Sequence, residues 1–229
     1  MAGGAEDFDL PDPLIWLAFA AAATTTIRLG TGILIVPQRN PLVTAKAVAT
    51  LDHLSGGRVD LGVGVGWLRE EFDALGVPFE RRGRRLDEYI EAMRSLWTQD
   101  RAEYHGEFVD FENCISRPRP AQGSVPIVVG GHTEAAARRA GRLGDAFFPG
   151  SATPEAIADL VAIMRATAAE HGRDGDVIPV YAMCAGKPGD EMYTRIEALA
   201  AVGVSQVIVA TYPPDVLADI GRALTSRFV

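Results

Sequence analysis

The chain of 229 residues is short of cysteine, of basic charge and of long apolar runs. Its two cysteines, Cys114 and Cys184, lie far apart, with no C-x-x-C pair and no histidine cluster beside either. Neither a disulfide framework nor a zinc site is indicated, no metal is expected, and a reducing cytoplasm is the expected compartment. Lys and Arg number 22 against 30 Asp and Glu, giving a net charge of −8 and a pI near 5.0. Nucleic-acid affinity comes mainly from cationic side chains neutralising phosphates, so no nucleic-acid partner is expected. The longest uninterrupted apolar run, Leu14 to Ala23, is ten residues, too short to span a bilayer. Residues 1–13 carry Glu6, Asp7, Asp9 and Asp12 but no base, so neither a signal peptide nor a membrane anchor is expected. Also missing are G-x-S-x-G, H-E-x-x-H and Walker A sequences, which withdraws support from nucleophilic hydrolysis, zinc proteolysis and P-loop chemistry.

What is present is an ordinary globular composition, 48% hydrophobic and 23% charged, enough to build a core without staples. Pro13 to Thr26 reads as a helix, with proline where a helix begins. Ile27 to Val36 reads as a strand buried on both faces, stopped by Pro37. Leu42 to Leu54 is helical and ends at Ser55-Gly56-Gly57; Arg58 to Gly64 is a strand, with helical pattern over Arg69–Leu75 and Arg85–Trp97 behind it. The segment Glu103 to Gly123 breaks this rhythm as an inserted hairpin and loop, an insertion over 103–124. Strands at Pro126–Val129, Ala146–Phe148, Ile178–Cys184 and Gln206–Ala210 then alternate with helices near Thr133–Arg142, Pro154–His171, Glu191–Val202 and Asp215–Thr225. Six strand-then-helix units follow one orphan helix, which argues for a parallel sheet covered by helices, either doubly wound or a (β/α)8 barrel.

Four places carry candidate chemistry. In Leu61-Gly62-Val63-Gly64-Val65-Gly66-Trp67, alternate glycines clear one face of a strand end, either for a flat ligand or for tight strand-helix packing. The spacing is not G-x-G-x-x-G, and Arg81 and Arg82 stand where a dinucleotide site wants an acid. Val128-Val129-Gly130-Gly131-His132-Thr133-Glu134 ends a strand and opens a helix: a phosphate-binding turn, or an ordinary one with Thr133 as cap and His132 in solvent. Gly30-Thr31-Gly32-Ile33 puts two glycines in a branched strand, and Arg39 in the following Pro37-Gln38-Arg39-Asn40-Pro41 is either an anion contact or a surface arginine. The island Glu80-Arg81-Arg82-Gly83-Arg84-Arg85 reads as a solvated helix start or as the partner of an anionic ligand tail.

Three segments in order, Thr26 to Trp67, Glu88 to Trp97 (EYIEAMRSLW) and Pro126 to Phe148 (PIVVGGHTEAAARRAGRLGDAFF), resemble the bacterial luciferase-like superfamily, in particular its coenzyme F420-dependent oxidoreductases. The resemblance runs from about Pro13 to the C-terminus and implies one domain over residues 1–229, a TIM barrel with an insertion after the second unit, binding a deazaflavin or flavin at the C-terminal mouth of its strands. It implies that Gly32 and Ile33 form a bulge under the ring, often joined by a cis peptide. Val65 and Gly66 become backbone neighbours of the cofactor's side chain. Gly130, Gly131 and His132 match the phosphate turn, and Gly150 and Ser151 make further phosphate contacts.

By the same resemblance the chain starts at the family's second helix, so the barrel is incomplete. The acidic and histidine positions that commonly serve proton transfer are absent, and the catalytic residues are unknown. Three functions follow as expectations: an F420-dependent oxidoreductase acting on a small organic substrate, an FMN-dependent monooxygenase, or a truncated non-catalytic flavin or deazaflavin binder. A homo-oligomer, in particular a homodimer, is expected to cover exposed apolar surface.

Overall fold

In a computed structural model, which describes residues 10–150, 153–184, 189–209 and 214–228, the chain falls into two compact units, Met1–Val128 and Val129–Val229.

The first unit opens with α1 (Pro13–Ala23), started by Asp12, whose carboxylate accepts from the amides of Leu14 and Ile15, and by proline at the first position. Arg58 closes it from a distance, donating to the carbonyl oxygens of Ala21 and Thr24. The run read as one strand is broken: β1 (Leu29–Gly30) and β2 (Leu34–Ile35) are separate, and a 3-10 turn at Val36–Gln38 follows. Helix α2 (Pro41–Ser55) is capped by Asn40 and stopped by Gly56 and Gly57, both left-handed at φ 73° and 86°. Strand β3 (Val59–Gly64) pairs in parallel with β1 and β2, and its Leu61 amide donates to Pro126 O. Helices α3 (Arg69–Ala74) and α4 (Arg82–Thr98) follow. Trp97 is fully buried and its indole N–H donates to Ala45 O at 3.0 Å, which fixes α4 on α2. The expected hairpin is present as β4 (Ala102–His105) and β5 (Asp110–Cys114), tied to α4 through Tyr104–Glu91 and the Phe108 amide on Glu88.

Strand β6 (Ile127–Gly130) ends the first unit and begins the second. There α5 (Glu134–Leu143), β7 (Ala146–Phe148), α6 (Pro154–Glu170), β8 (Tyr181–Cys184), α7 (Asp190–Ala201), β9 (Gln206–Val209) and α8 (Pro214–Phe228) continue the alternation, so all six units are present. Strand β8 starts later than read: Val180 makes only an isolated parallel bridge with Phe147, since Pro179 cannot donate to a ladder. Helices α5 and α6 approach so closely that a Cβ on Gly141 would stand 2.4 Å from Met164 O. Arg173 closes α5 as Arg58 closes α1, donating to Gly141 O and Gly144 O. Among the described residues, β1 and β2 carry no strand on their outer side, and β9 pairs only with β8.

Candidate cofactor site

In the first unit the candidate residues gather where β2 and β3 end. Gly30 stands opposite Asp60 whereas Leu34 stands opposite Val63, so Thr31, Gly32 and Ile33 face only two residues, Leu61 and Gly62. That surplus residue is a β-bulge, and Thr31 stabilises it by donating its hydroxyl to Gly62 O at 2.8 Å. The peptide between Gly32 and Ile33 is trans, contrary to the cis form the resemblance often carries; the extra residue, rather than a cis bond, accommodates the bend.

The three alternate glycines of β3 and its extension are matched by three alternate residues across the pair. A Cβ on Gly62 would meet Thr31 O at 2.0 Å, one on Gly64 would meet Ile33 Cγ2 at 2.7 Å, and one on Gly66 would meet Ile35 Cγ2 and Phe72 Cε2 at 2.8 Å. The space beside these three glycines is therefore filled by Thr31, Ile33, Ile35 and Phe72, strand against strand as well as strand against helix. Gly32 is the opposite case, exposed and with nothing within 4 Å of the position its Cβ would take. Ile33 is half-buried with its side chain committed to Gly62 and Gly64, which leaves its backbone as the part available to a ligand. Val65 and Gly66, both half-buried, complete this group, with Gly66 left-handed at φ 77°.

Arg39 stands apart from them. Its Nη2 lies 2.7 Å from the Asp12 carboxylate, and this pairing, helped by the amides of Ile15 and Leu14, holds the Asp12 carboxyl below its usual range. The arginine's anion in this structure is thus the cap of α1.

The basic island is a solvated helix start only in part: Arg81 and Arg84 are exposed at the beginning of α4, whereas Arg85 is not. Arg85 is buried, donates to Pro78 O at 2.7 Å and lies 4.8 Å over the Phe108 ring. Arg81 pairs with Glu107 and also lies over Phe108, while Arg84 is 3.7 Å from Glu107. Arg82 reaches the main chain of Gly66, its Nε donating to that carbonyl at 3.0 Å. In this structure the partners of these charges are thus aromatic rings, Glu107 and main-chain oxygens.

In the second unit Gly130, Gly131, His132 and Gly150 gather at the ends of β6 and β7, where Gly131 N donates to Phe148 O at 3.0 Å. Gly131 sits at φ 137°, and a Cβ there would stand 2.8 Å from the Ala136 Cβ, so only glycine lets α5 begin this close to the strand. Thr133 caps α5 by accepting from the Ala136 amide at 3.3 Å, which leaves His132 exposed at the positive end of the helix. Gly150 is left-handed at φ 77° with open space on its Cβ side, and its carbonyl accepts from Met183 N at 3.4 Å. Ser151 lies outside the described residues. The sequence motifs contain Thr31 and Arg82 without assigning them a turn-shaping role and leave out Phe72; for Arg82 and Phe72 the aromatics flanking the arginine island are the available signal.

No described helix is long and apolar enough to cross a membrane. A model of the family described as luciferase-like monooxygenase matches residues 2–206. An uncharacterised protein of Mycobacterium tuberculosis is 39% identical over 219 residues, covering 94% of this chain and 74% of its own length. An FMNH(2)-dependent dimethylsulfone monooxygenase of Pseudomonas putida is 37% identical over 155 residues, 66% of this chain and 42% of that protein. Among solved structures, the coenzyme F420-dependent tetrahydromethanopterin reductase of Methanopyrus kandleri superposes with a TM-score of 0.76 over 91% of this chain and 84% of that one, at 23% identity. That likeness is one of fold: mixed α/β with parallel strands, of the luciferase-like TIM-barrel type.

Proposed function

We propose a function from the premise that the chain belongs to the luciferase-like monooxygenase family, whose members are oxidoreductases or monooxygenases: it is an F420-dependent oxidoreductase acting on a small organic substrate. The observation that carries the reading is Gly32, a bulge residue with an open face at a parallel strand end, which fits the approach of a flat ring system. The backbone of Ile33, Val65 and Gly66 would contact such a group in the first unit. In the second unit Gly130, Gly131 and His132, with Gly150 and Ser151, would receive a phosphate at the start of α5, where the helix dipole favours negative charge. Arg39 is the weakest member, because an anionic ligand would have to displace Asp12. When bound, F420 would supply a carbon that accepts or releases hydride; the chain's part is to hold and orient it.

A second reading, an FMN-dependent monooxygenase, is favoured by the Pseudomonas relative. Both readings share the phosphate turn, so cofactor selectivity decides between them. We also propose a homo-oligomer, since α1 buries none of its residues and exposes Ile15, Trp16 and Phe19, and a cytoplasmic setting, which the free thiols of Cys114 and Cys184 support.

The test is a fluorescence titration of the purified chain with F420 and, in parallel, with FMN, beside a thermal melt. Selective F420 binding is the expected result. Selective FMN binding moves the assignment to the second reading, and a cooperative melt with neither ligand bound overturns both.

A further inference from the structure

Gly66 is gripped from two sides by one aromatic-guanidinium assembly. Phe72, fully buried, closes the side where a Cβ would stand, 2.8 Å from its Cε2. Phe79 meets Phe72 edge to face at 5.3 Å, and the guanidinium groups of Arg82 and Arg69 lie over the Phe79 ring at 3.8 and 4.4 Å. Arg69 is steadied by Glu80 at 2.9 Å, and Arg82 delivers its Nε–H to the Gly66 carbonyl. A left-handed glycine between a strand end and an exposed Trp67 is otherwise a free swivel, since glycine carries little conformational preference of its own. With its guanidinium held over Phe79 and its Nε–H on the Gly66 carbonyl, Arg82 constrains the turn at two points, ring and hydrogen bond together.

We infer that Arg82 is a positioning residue: through its hydrogen bond to Gly66 O and its stacking on Phe79, it holds the Val65–Gly66 turn in the form that receives the cofactor. The role rests on the function proposed above for Val65 and Gly66, and no contact between Arg82 and the cofactor is required.

The experiment compares the wild type with Arg82→Met, Arg82→Lys, Phe79→Leu and, as a control on the same helix whose guanidinium faces Glu107, Arg84→Met. The readouts are the F420 and FMN dissociation constants at a temperature where every variant is folded, the Gly66 carbonyl 13C shift, and backbone order parameters at Val65–Trp67. Arg82→Met is expected to move the carbonyl shift, to lower the order parameters from the rigid value of about 0.85, and to weaken binding about tenfold, the scale of one charge-assisted hydrogen bond. Phe79→Leu should reproduce these changes with Arg82 still present, Arg82→Lys should not restore the wild type, and Arg84→Met should match it. If the wild type binds neither cofactor while the shift and order changes remain, the proposed function fails and the control of the turn by Arg82 stands. Unchanged shift and order in Arg82→Met, or wild-type affinity in a variant whose only defect is a lower melting temperature, overturns the inference.

Discussion

Ile33 plugs the space that a side chain on Gly64 would need, its Cγ2 standing 2.7 Å from where that Cβ would be. Gly64→Ala is therefore expected to destabilise the chain by about 1–3 kcal/mol, the usual cost of forcing a methyl into a packed core. Gly62→Ala should cost more, because the obstacle is the main-chain oxygen of Thr31 and not a side chain that can rotate. Denaturant unfolding of both variants measures this; equal stability to the wild type would show that the two strands separate easily.

Gly32→Ala makes the opposite prediction. Nothing lies within 4 Å of the new methyl, so the midpoint of unfolding should change by less than about 0.5 kcal/mol equivalent. Binding of F420 or FMN should fall about tenfold or more, since the methyl occupies the face assigned to the ring. A variant that binds as well as the wild type would remove Gly32 from the site.

Asp52, fully buried, accepts from the Val59 amide, the Gln122 amide and the Gln122 side chain at 3.2, 3.3 and 2.7 Å. Asp52→Ala leaves the two main-chain amides without their acceptor, while the Gln122 side chain keeps Val59 O at 3.0 Å; the change should cost about 3 kcal/mol, with no selective effect on cofactor affinity of the folded fraction. Parallel melts and titrations separate the two quantities.

The hydrogen bond and charge of Asp110 raise the His105 pKa above its ordinary 6.5. A raised folded-state pKa contributes stability that is fully present below the unfolded value and is lost as pH rises through the folded one. An imidazole NMR titration should place the His105 midpoint above 6.5 in the wild type and bring it down in Asp110→Asn. An unchanged midpoint would dissolve the pair.

Ile15, Trp16 and Phe19 are 64, 63 and 74% exposed on a helix that buries none of its own residues. With a second copy as the occupant of this face, Trp16→Ser combined with Phe19→Ser should shift sedimentation from dimer to monomer. A wild type that is monomeric at every concentration would refute the assignment.

The element boundaries were legible where the local chemistry is self-contained. Pro13 announces α1 and Ser55-Gly56-Gly57 ends α2 because a proline at a helix start and left-handed glycines act within a few residues, whereas the Asp12 cap is seen only in the structure. The break between β1 and β2 is not legible: Thr31 stands alone between Gly30 and Gly32 in an otherwise branched run, so no polar-apolar alternation registers the slip, and only the two glycines hint at it. Likewise Gly62, Gly64 and Gly66 announce that a face is cleared but not what fills it, since Thr31, Ile33 and Ile35 lie some thirty residues earlier in the chain. The turn residues Gly130–His132 were found by pattern. The burial of Arg85 was not, because charge alone says solvent until Phe108 is known to lie beneath it.

Arg58 reaches back 37 and 34 residues to close α1, and Arg173 reaches back 32 and 29 to close α5. Each span is about the length of one strand-helix unit. During synthesis, then, the last turn of α1 keeps bare carbonyls until the chain has been extended as far as β3, and α5 waits in the same way for the residue past α6. For these two helices order is added in instalments, each sealed by an arginine about one unit further on. A ribosome that stalls within a unit holds a helix with a loose end, and cleavage by a protease at that end would report how far assembly has advanced.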